Sequence, residues 1–310
     1  MDSQKNLKLQ DINIVLADSD HTYRHTIFNM LRSVGLRQIQ QVATLDEIRK
    51  TLVGPPPDLL ISEADLSDGS FCDLVYDLRN GNVGNNPFLV ILTLTAEPTK
   101  ELVRRVIDSG SDDLLTKPMS AAQMKSRIVT LVEQRKPFVV TSDYIGPTRR
   151  ENGSRGASIP LIKAPNTLRE KATGVTADEN SQETIEATIK LINRQRLKQY
   201  AEQIVYLVQA IVTDLGTGDD NKQTRQHLER LRVVAQDTGR RLIGTDMEHI
   251  IKLCAPLIAA TERIEKNPET PNERDMELLP PLAAAIKAGF ETDHEGTADF
   301  ARQISSALSN

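Results

Sequence analysis

Tryptophan is absent from the 310 residues, aromatic residues make up 4%, and only two cysteines occur. So few rings leave little for stacking on nucleic-acid bases and favour helix-rich folding around aliphatic cores. Cys72 and Cys254 stand far apart and match no metal-ligand spacing. They read as buried thiols of a reducing compartment, and the expected location is the cytoplasm. Long hydrophobic runs are missing too: nowhere do about 18 apolar residues follow one another, and Met1 to Asp11 is polar, without a signal-peptide core. No membrane partner is expected. A net charge of −5 gives no general attraction to nucleic acid or anionic lipid.

What is present begins with Pro57-Asp58-Leu59-Leu60-Ile61-Ser62-Glu63, an apolar run that ends on a carboxylate. Runs of this kind suit a strand covered on both faces of a parallel sheet. Similar runs, Asn13 to Ala17, Gln38 to Ala43, Phe88 to Leu94 and Asp113 to Thr116, alternate with helical spacing over His21 to Val34, Asp73 to Arg79, Glu101 to Ser109 and Ser120 to Gln134. Thr44 with Glu47 gives the second of the five helices a capping box. Five such βα units predict an α/β doubly wound five-stranded parallel sheet, in which chemistry gathers outside the carboxyl ends of the strands.

The residues at those ends resemble the receiver domain of two-component response regulators. Asp18 falls on the first acid of that family's metal-binding pair, Glu63 on its phospho-acceptor aspartate, Thr95 on its hydroxyl residue, and Lys117-Pro118 on its Lys-Pro pair. Gly110-Ser111-Asp112-Asp113 is similar to the family's Gly-Ala-Asp-Asp turn. The resemblance implies phosphorelay signalling with protein partners, and it spans the whole first domain.

The departures carry as much as the matches. Ser19 replaces the second acid, Glu63 replaces the nucleophile, and Leu114 stands where the family places a switching aromatic. With one carboxylate gone, a hard cation loses charge it depends on, so Mg²⁺ is expected to bind poorly, with Asp18 and Glu63 as its only weak candidates and Asp20 as a conceivable helper. Glu63 is one methylene longer than Asp, and the expectation is that it pairs with the Lys117 ammonium and accepts a hydrogen bond from Thr95, imitating the phosphorylated state. The leading reading is a non-enzymatic pseudo-receiver adaptor. A plain scaffold carrying relic residues, and a phosphorylation-competent regulator using Asp18, Asp20 and an unusual acceptor such as Asp65, stand beside it.

Further along, Tyr144-Ile145-Gly146-Pro147-Thr148-Arg149-Arg150 reads as a strip packing on its own domain, and residues 151–176, polar and without apolar periodicity, read as flexible. From Ser181 the pattern turns helical. Ile185, Ile189, Ile192, Leu197, Tyr200, Ile204, Leu207, Ile211 and Leu215 predict a long helix, spine of a bundle or seam of a homodimer over 183–215; the receiver face is the other candidate dimer surface. Thr245 with Glu248 predicts a cap, Thr270-Pro271 another, Pro280-Pro281 a break, and residues 297–308 a last helix. His249-Ile250-Ile251-Lys252 approaches a phosphotransfer motif but continues with Leu253 where Gly is needed, and His227 lacks the context of a kinase histidine. The expected organisation is a tail over 1–9, the sheet domain over 10–136, a partly disordered linker over 137–180 and an α-helical bundle over 181–310. Output is expected through protein contacts of the bundle, with nucleic acid not expected; transcriptional or phosphotransfer action by the bundle is the alternative.

Overall fold

The computed structural model describes residues 7–149, 161–174, 181–216 and 222–291. The chain divides into two compact units, residues 1–190 and 191–310.

In the first unit, β1 (Asn13–Ala17), α1 (His21–Ser33), β2 (Gln38–Val42), α2 (Leu45–Val53) and β3 (Leu59–Glu63) are followed by a small antiparallel pair, β4 (Asp65–Leu66) and β5 (Gly69–Ser70). Then come α3 (Phe71–Arg79), β6 (Val90–Thr95), α4 (Lys100–Ser109), β7 (Asp113–Thr116) and α5 (Ala121–Glu133). The five long strands pair in parallel in the order β2-β1-β3-β6-β7. Period-two alternation sends Ile14, Leu16, Leu59 and Ile61 into one core with Ile27 and Ile128, and Val15, Ala17 and Leu60 into the other with Ile48 and Leu74. Helix starts follow their caps: Thr44 with Glu47 and Ser120 with Gln123 both form capping boxes.

Beyond α5, a hairpin agrees with a strip packing on its own domain, and residues 161–174 of the stretch expected as flexible carry structure, while residues 151–160 and 175–176 lie outside the described residues. β8 (Phe138–Val140) and β9 (Ile145–Pro147) form a hairpin, Ile162 adds a bridge to Phe138, and α6 (Thr167–Thr173) follows. Leu168 and Ala172 of α6 are fully buried in the sheet domain's core, and the Ala172 carbonyl accepts from the Lys8 amide at 2.7 Å. These anchors are single apolar residues in a polar stretch, so no periodicity announces them. The tail is likewise tied down from Leu7, with a short 3₁₀ turn at Leu9–Asp11.

Four helices carry the second unit: α7 (Ser181–Gly216), which starts in the first, α8 (Lys222–Leu242), α9 (Ile251–Lys266) and α10 (Glu273–Glu291). Leu197, Tyr200, Ile204, Leu207, Ile211 and Leu215 are buried in one core with residues of α8, α9 and α10, so of the two alternatives for this stripe, bundle spine or dimer seam, it takes the first. Three boundaries differ from expectation. Thr245 caps no helix; a 3₁₀ turn at Glu248–Ile250 leads into α9. Asn272, not Thr270, accepts from a first-turn amide of α10, that of Arg274. Pro280 and Pro281 do not end α10, because fully buried Leu279 and Leu282 hold the helix on both sides of the missing donors. The helix expected over 297–308 lies outside the described residues. No helix among the described residues is long and apolar enough to cross a membrane.

Asp237 ties the bundle together. It accepts hydrogen bonds from the Tyr200 hydroxyl at 2.7 Å and from Arg241 at 2.8 Å, and pairs with Arg240 at 2.6 Å. Burial alone raises a carboxyl's pKa, but these donors, Arg241 first, bring Asp237 down to about 2, from 3.8. A depressed folded-state pKa means stability that is present above pH 3.8 and lost as pH falls through about 2. It amounts to about 2 kcal/mol. Urea unfolding of the second unit between pH 5 and pH 2 is expected to show this loss, and Asp237→Asn to remove it.

Candidate functional site: a lysine between two carboxylates

Three strand ends meet in the crevice beside β1 and β3, where the order of the sheet reverses. Asp18 follows β1, Glu63 closes β3, and Lys117 follows β7, its bond to Pro118 in the cis form. The Lys117 ammonium is 2.7 Å from Asp18 Oδ2 and also contacts Glu63 Oε2. It lies 4.9 Å from the centre of the Tyr23 ring, a cation–π distance. The side chains of Lys117 and Asp18 are 6% and 3% exposed, that of Glu63 18%. Burial works against the charge on Lys117, but hydrogen bonds to Asp18 and Glu63 outweigh it and hold its pKa above the usual lysine value. Burial pushes the Glu63 carboxyl up, opposed by Lys117.

The other strand-end residues have different occupations. Asp20 caps α1, its Oδ1 accepting from the Thr22 and Tyr23 amides at 2.7 and 3.1 Å; those bonds lower its pKa. Ser19 donates to the Ala43 carbonyl and accepts from the Ser67 amide, joining two loops. Thr95 Oγ1 accepts from the Glu97 amide at 3.2 Å and makes no bond to Glu63, contrary to expectation: Glu63 sits opposite Leu94 in the ladder. Leu114 is half-buried on β7. Asp65 is held by Arg105 through both oxygens at 2.7 and 2.8 Å. A Mg²⁺ ion needs several oxygen ligands. With Asp18 and Glu63 turned to Lys117, Asp20 on a helix cap and Ser19 between loops, the residues present do not fit one, and no group of three potential ligand residues occurs among those described.

A second charged centre was not foreseen. Arg79, fully buried, donates to the carbonyls of Gly110, Pro87 and Leu89 and to Asp112 Oδ2 at 3.0 Å. Asp112 also takes Arg135 at 2.8 Å and the Ile91 amide at 2.9 Å. The two guanidinium groups lie 5.1 and 5.0 Å from the Phe138 ring centre. Burial brings Arg79 down to about 10, against Asp112, which raises it. The hairpin seats here: a Cβ on Gly110, at φ +90°, would lie 2.5 Å from the Ile145 carbonyl, and one on Gly146 2.7 Å from Gly110 Cα. Arg149 contacts the Ser111 carbonyl. Residues 79, 112 and 135 share no sequence spacing that links them. The Asp112-Asp113 pair at a strand entrance was the one visible sign.

A family model of the response regulator receiver domain matches residues 14–129. Those residues are a receiver domain. Among curated proteins, the chain is similar to the sensor histidine kinase TmoS of Ectopseudomonas mendocina, 26% identical over 196 residues, which cover 57% of this chain and 19% of that protein. It is also similar to a probable chemotaxis protein CheY of Rhizobium etli, 25% identical over 120 residues, 38% of this chain and 91% of that one. The chain spans less than half the length of several curated relatives it matches. The solved receiver domain of the sensor histidine kinase PA1611 from Pseudomonas aeruginosa is 22% identical, with a TM-score of 0.35, over 38% of this chain and 94% of that chain. In the helical unit, Nε2 of His249 and Nδ1 of His227 are shielded from solvent and without hydrogen-bond partners.

Proposed function

We propose that this chain is a phosphorylation-independent adaptor of two-component signalling, working in the cytoplasm by binding rather than by catalysis. The receiver domain holds one state because its acceptor position carries a built-in anion, and the helical domain that begins near residue 181 passes that state on through contacts with a protein partner. The observation that carries this reading is Lys117 seated between Asp18 and Glu63.

Phosphoryl transfer proceeds by positioning and charge neutralisation. Here the lysine that would meet a phosphoryl oxygen is already engaged by two carboxylates. An incoming phosphate dianion would have to break both contacts against the charge of the two carboxylates. One carboxylate has less charge and fewer acceptor oxygens than a phosphate, so Glu63 imitates the modified state in sign and place, not in full strength. Because the stripe from Leu197 to Leu215 is buried within its own unit, self-association by this chain is assigned to the receiver face.

Incubation of the full chain with acetyl phosphate and Mg²⁺, followed by intact-mass measurement, tests the reading. The expected spectrum shows the unmodified mass alone. A species heavier by one phosphoryl group, mapped to the receiver domain, would favour a phosphorylation-competent regulator instead.

A further inference from the structure

α5 starts beside Lys117, and its 13 residues carry the chain about 20 Å away, to the opposite edge of the sheet. There the end of α5, residues 135–137, residues 163–165 and α6 enclose a cavity of about 510 Å³, within the range of small-molecule sites. Its walls are held from behind. Arg135 donates to the Pro165 carbonyl at 2.7 Å, Asn166 to the Leu131 carbonyl at 3.0 Å, and Phe138 bridges Ile162.

The charge of the lining is uneven. Val132, Pro137 and Pro165 give it an apolar part, and Lys136, Lys163 and Arg169 line it as well. Their neighbours Arg135 and Lys171 are paired, with Asp112 and Asp58. Lys136, Lys163 and Arg169 have no carboxylate at ion-pair distance among the described residues. Two carboxylates, Glu133 and Glu170, line the same space. Burial, and then Asp58, raises the pKa of the second.

We propose that this cavity binds a small organic anion, phosphorylated or carboxylated, through Lys136, Lys163 and Arg169. Charge-assisted hydrogen bonds from several cations to one anionic group are the strong kind, and the apolar wall meets the organic body. The site would give the segment after α5 a sensing role of its own. It goes beyond the adaptor reading and stands without it, since no part of it uses Glu63.

Calorimetric titration of the full chain with inorganic pyrophosphate and with citrate, each at constant ionic strength, tests the proposal. Saturable binding of at least one is expected, and which one binds separates phosphate from carboxylate recognition. Lys163→Ala with Arg169→Ala, both exposed positions that leave the fold intact, is expected to weaken it about tenfold, and Glu170→Gln to tighten it. No saturable binding of either probe, or affinity that the double variant leaves unchanged, would overturn the proposal.

Discussion

Asp112→Ala is expected to destabilise the receiver domain by about 3–5 kcal/mol, the range for removing one partner of a buried ion pair. Among the described residues, Asp112 is the only carboxylate paired with the buried guanidinium of Arg79, whose side chain is wholly inaccessible, and it holds Arg135 as well. Without it, Arg79 keeps its carbonyl partners but carries an uncompensated charge in the interior. The Ile91 amide at the start of β6 also loses its acceptor. Hydrogen exchange read at the amides of β6 and β7 isolates this unit from the bundle, where a single unfolding midpoint would mix the two. Asp112→Asn, which preserves shape and one acceptor, should lose less. Equal exchange in Asp112→Ala and the parent would mean that the arginine cluster is not what fixes the hairpin to the sheet.

Lys117→Met should have an effect of similar size at neutral pH, about 3–5 kcal/mol, with a pH signature of its own. The substitution leaves Asp18 and Glu63 facing each other without their cation. Glu63 is already displaced upward by burial, with Asp18 adding to that. A carboxyl with a raised folded-state pKa favours folding as pH falls through it, because the folded form takes up the proton first. The deficit of Lys117→Met should therefore shrink as pH falls from 7 towards 5, as Glu63 becomes neutral. In the parent, the raised pKa of Lys117 acts the other way. Its pairing contributes fully below the usual lysine value and is lost only as pH rises past it. Denaturant unfolding at pH 5 and pH 7 for both proteins checks this; a deficit that does not change with pH would acquit the two carboxylates.

The sheet was legible because β3 and β6 are continuous apolar runs buried on both faces, and because a parallel order fixes which strand ends share a crevice. Asp18, Glu63 and Lys117 could therefore be placed at one edge from the chain alone. The sharing of one lysine by two carboxylates could not, since it depends on side-chain reach. For the same reason Thr95, in the right strand, turns to Glu97 and not to Glu63. The hub at Asp112 went unrecognised for a different cause: Arg79, Asp112 and Arg135 each look like ordinary charges at element ends, and only the fold removes them from water. The segment after α5 misled by composition. Beyond the extended run at Phe138–Val140, Ile162, Leu168 and Ala172 anchor it, too widely spaced to form a pattern. In the bundle, Pro280-Pro281 shows packing prevailing over a local breaker signal.

The central claim is that Lys117 is held by Asp18 and Glu63 and so is not free to receive a phosphoryl group or to give way to a metal ion. Nuclear magnetic resonance of the Lys117 side-chain ammonium group, with and without millimolar Mg²⁺, tests it most directly. The account predicts a slowly exchanging signal that Mg²⁺ leaves in place and that Glu63→Gln shifts. A signal that exchanges like a free lysine, or that saturably moves on adding Mg²⁺, would contradict it.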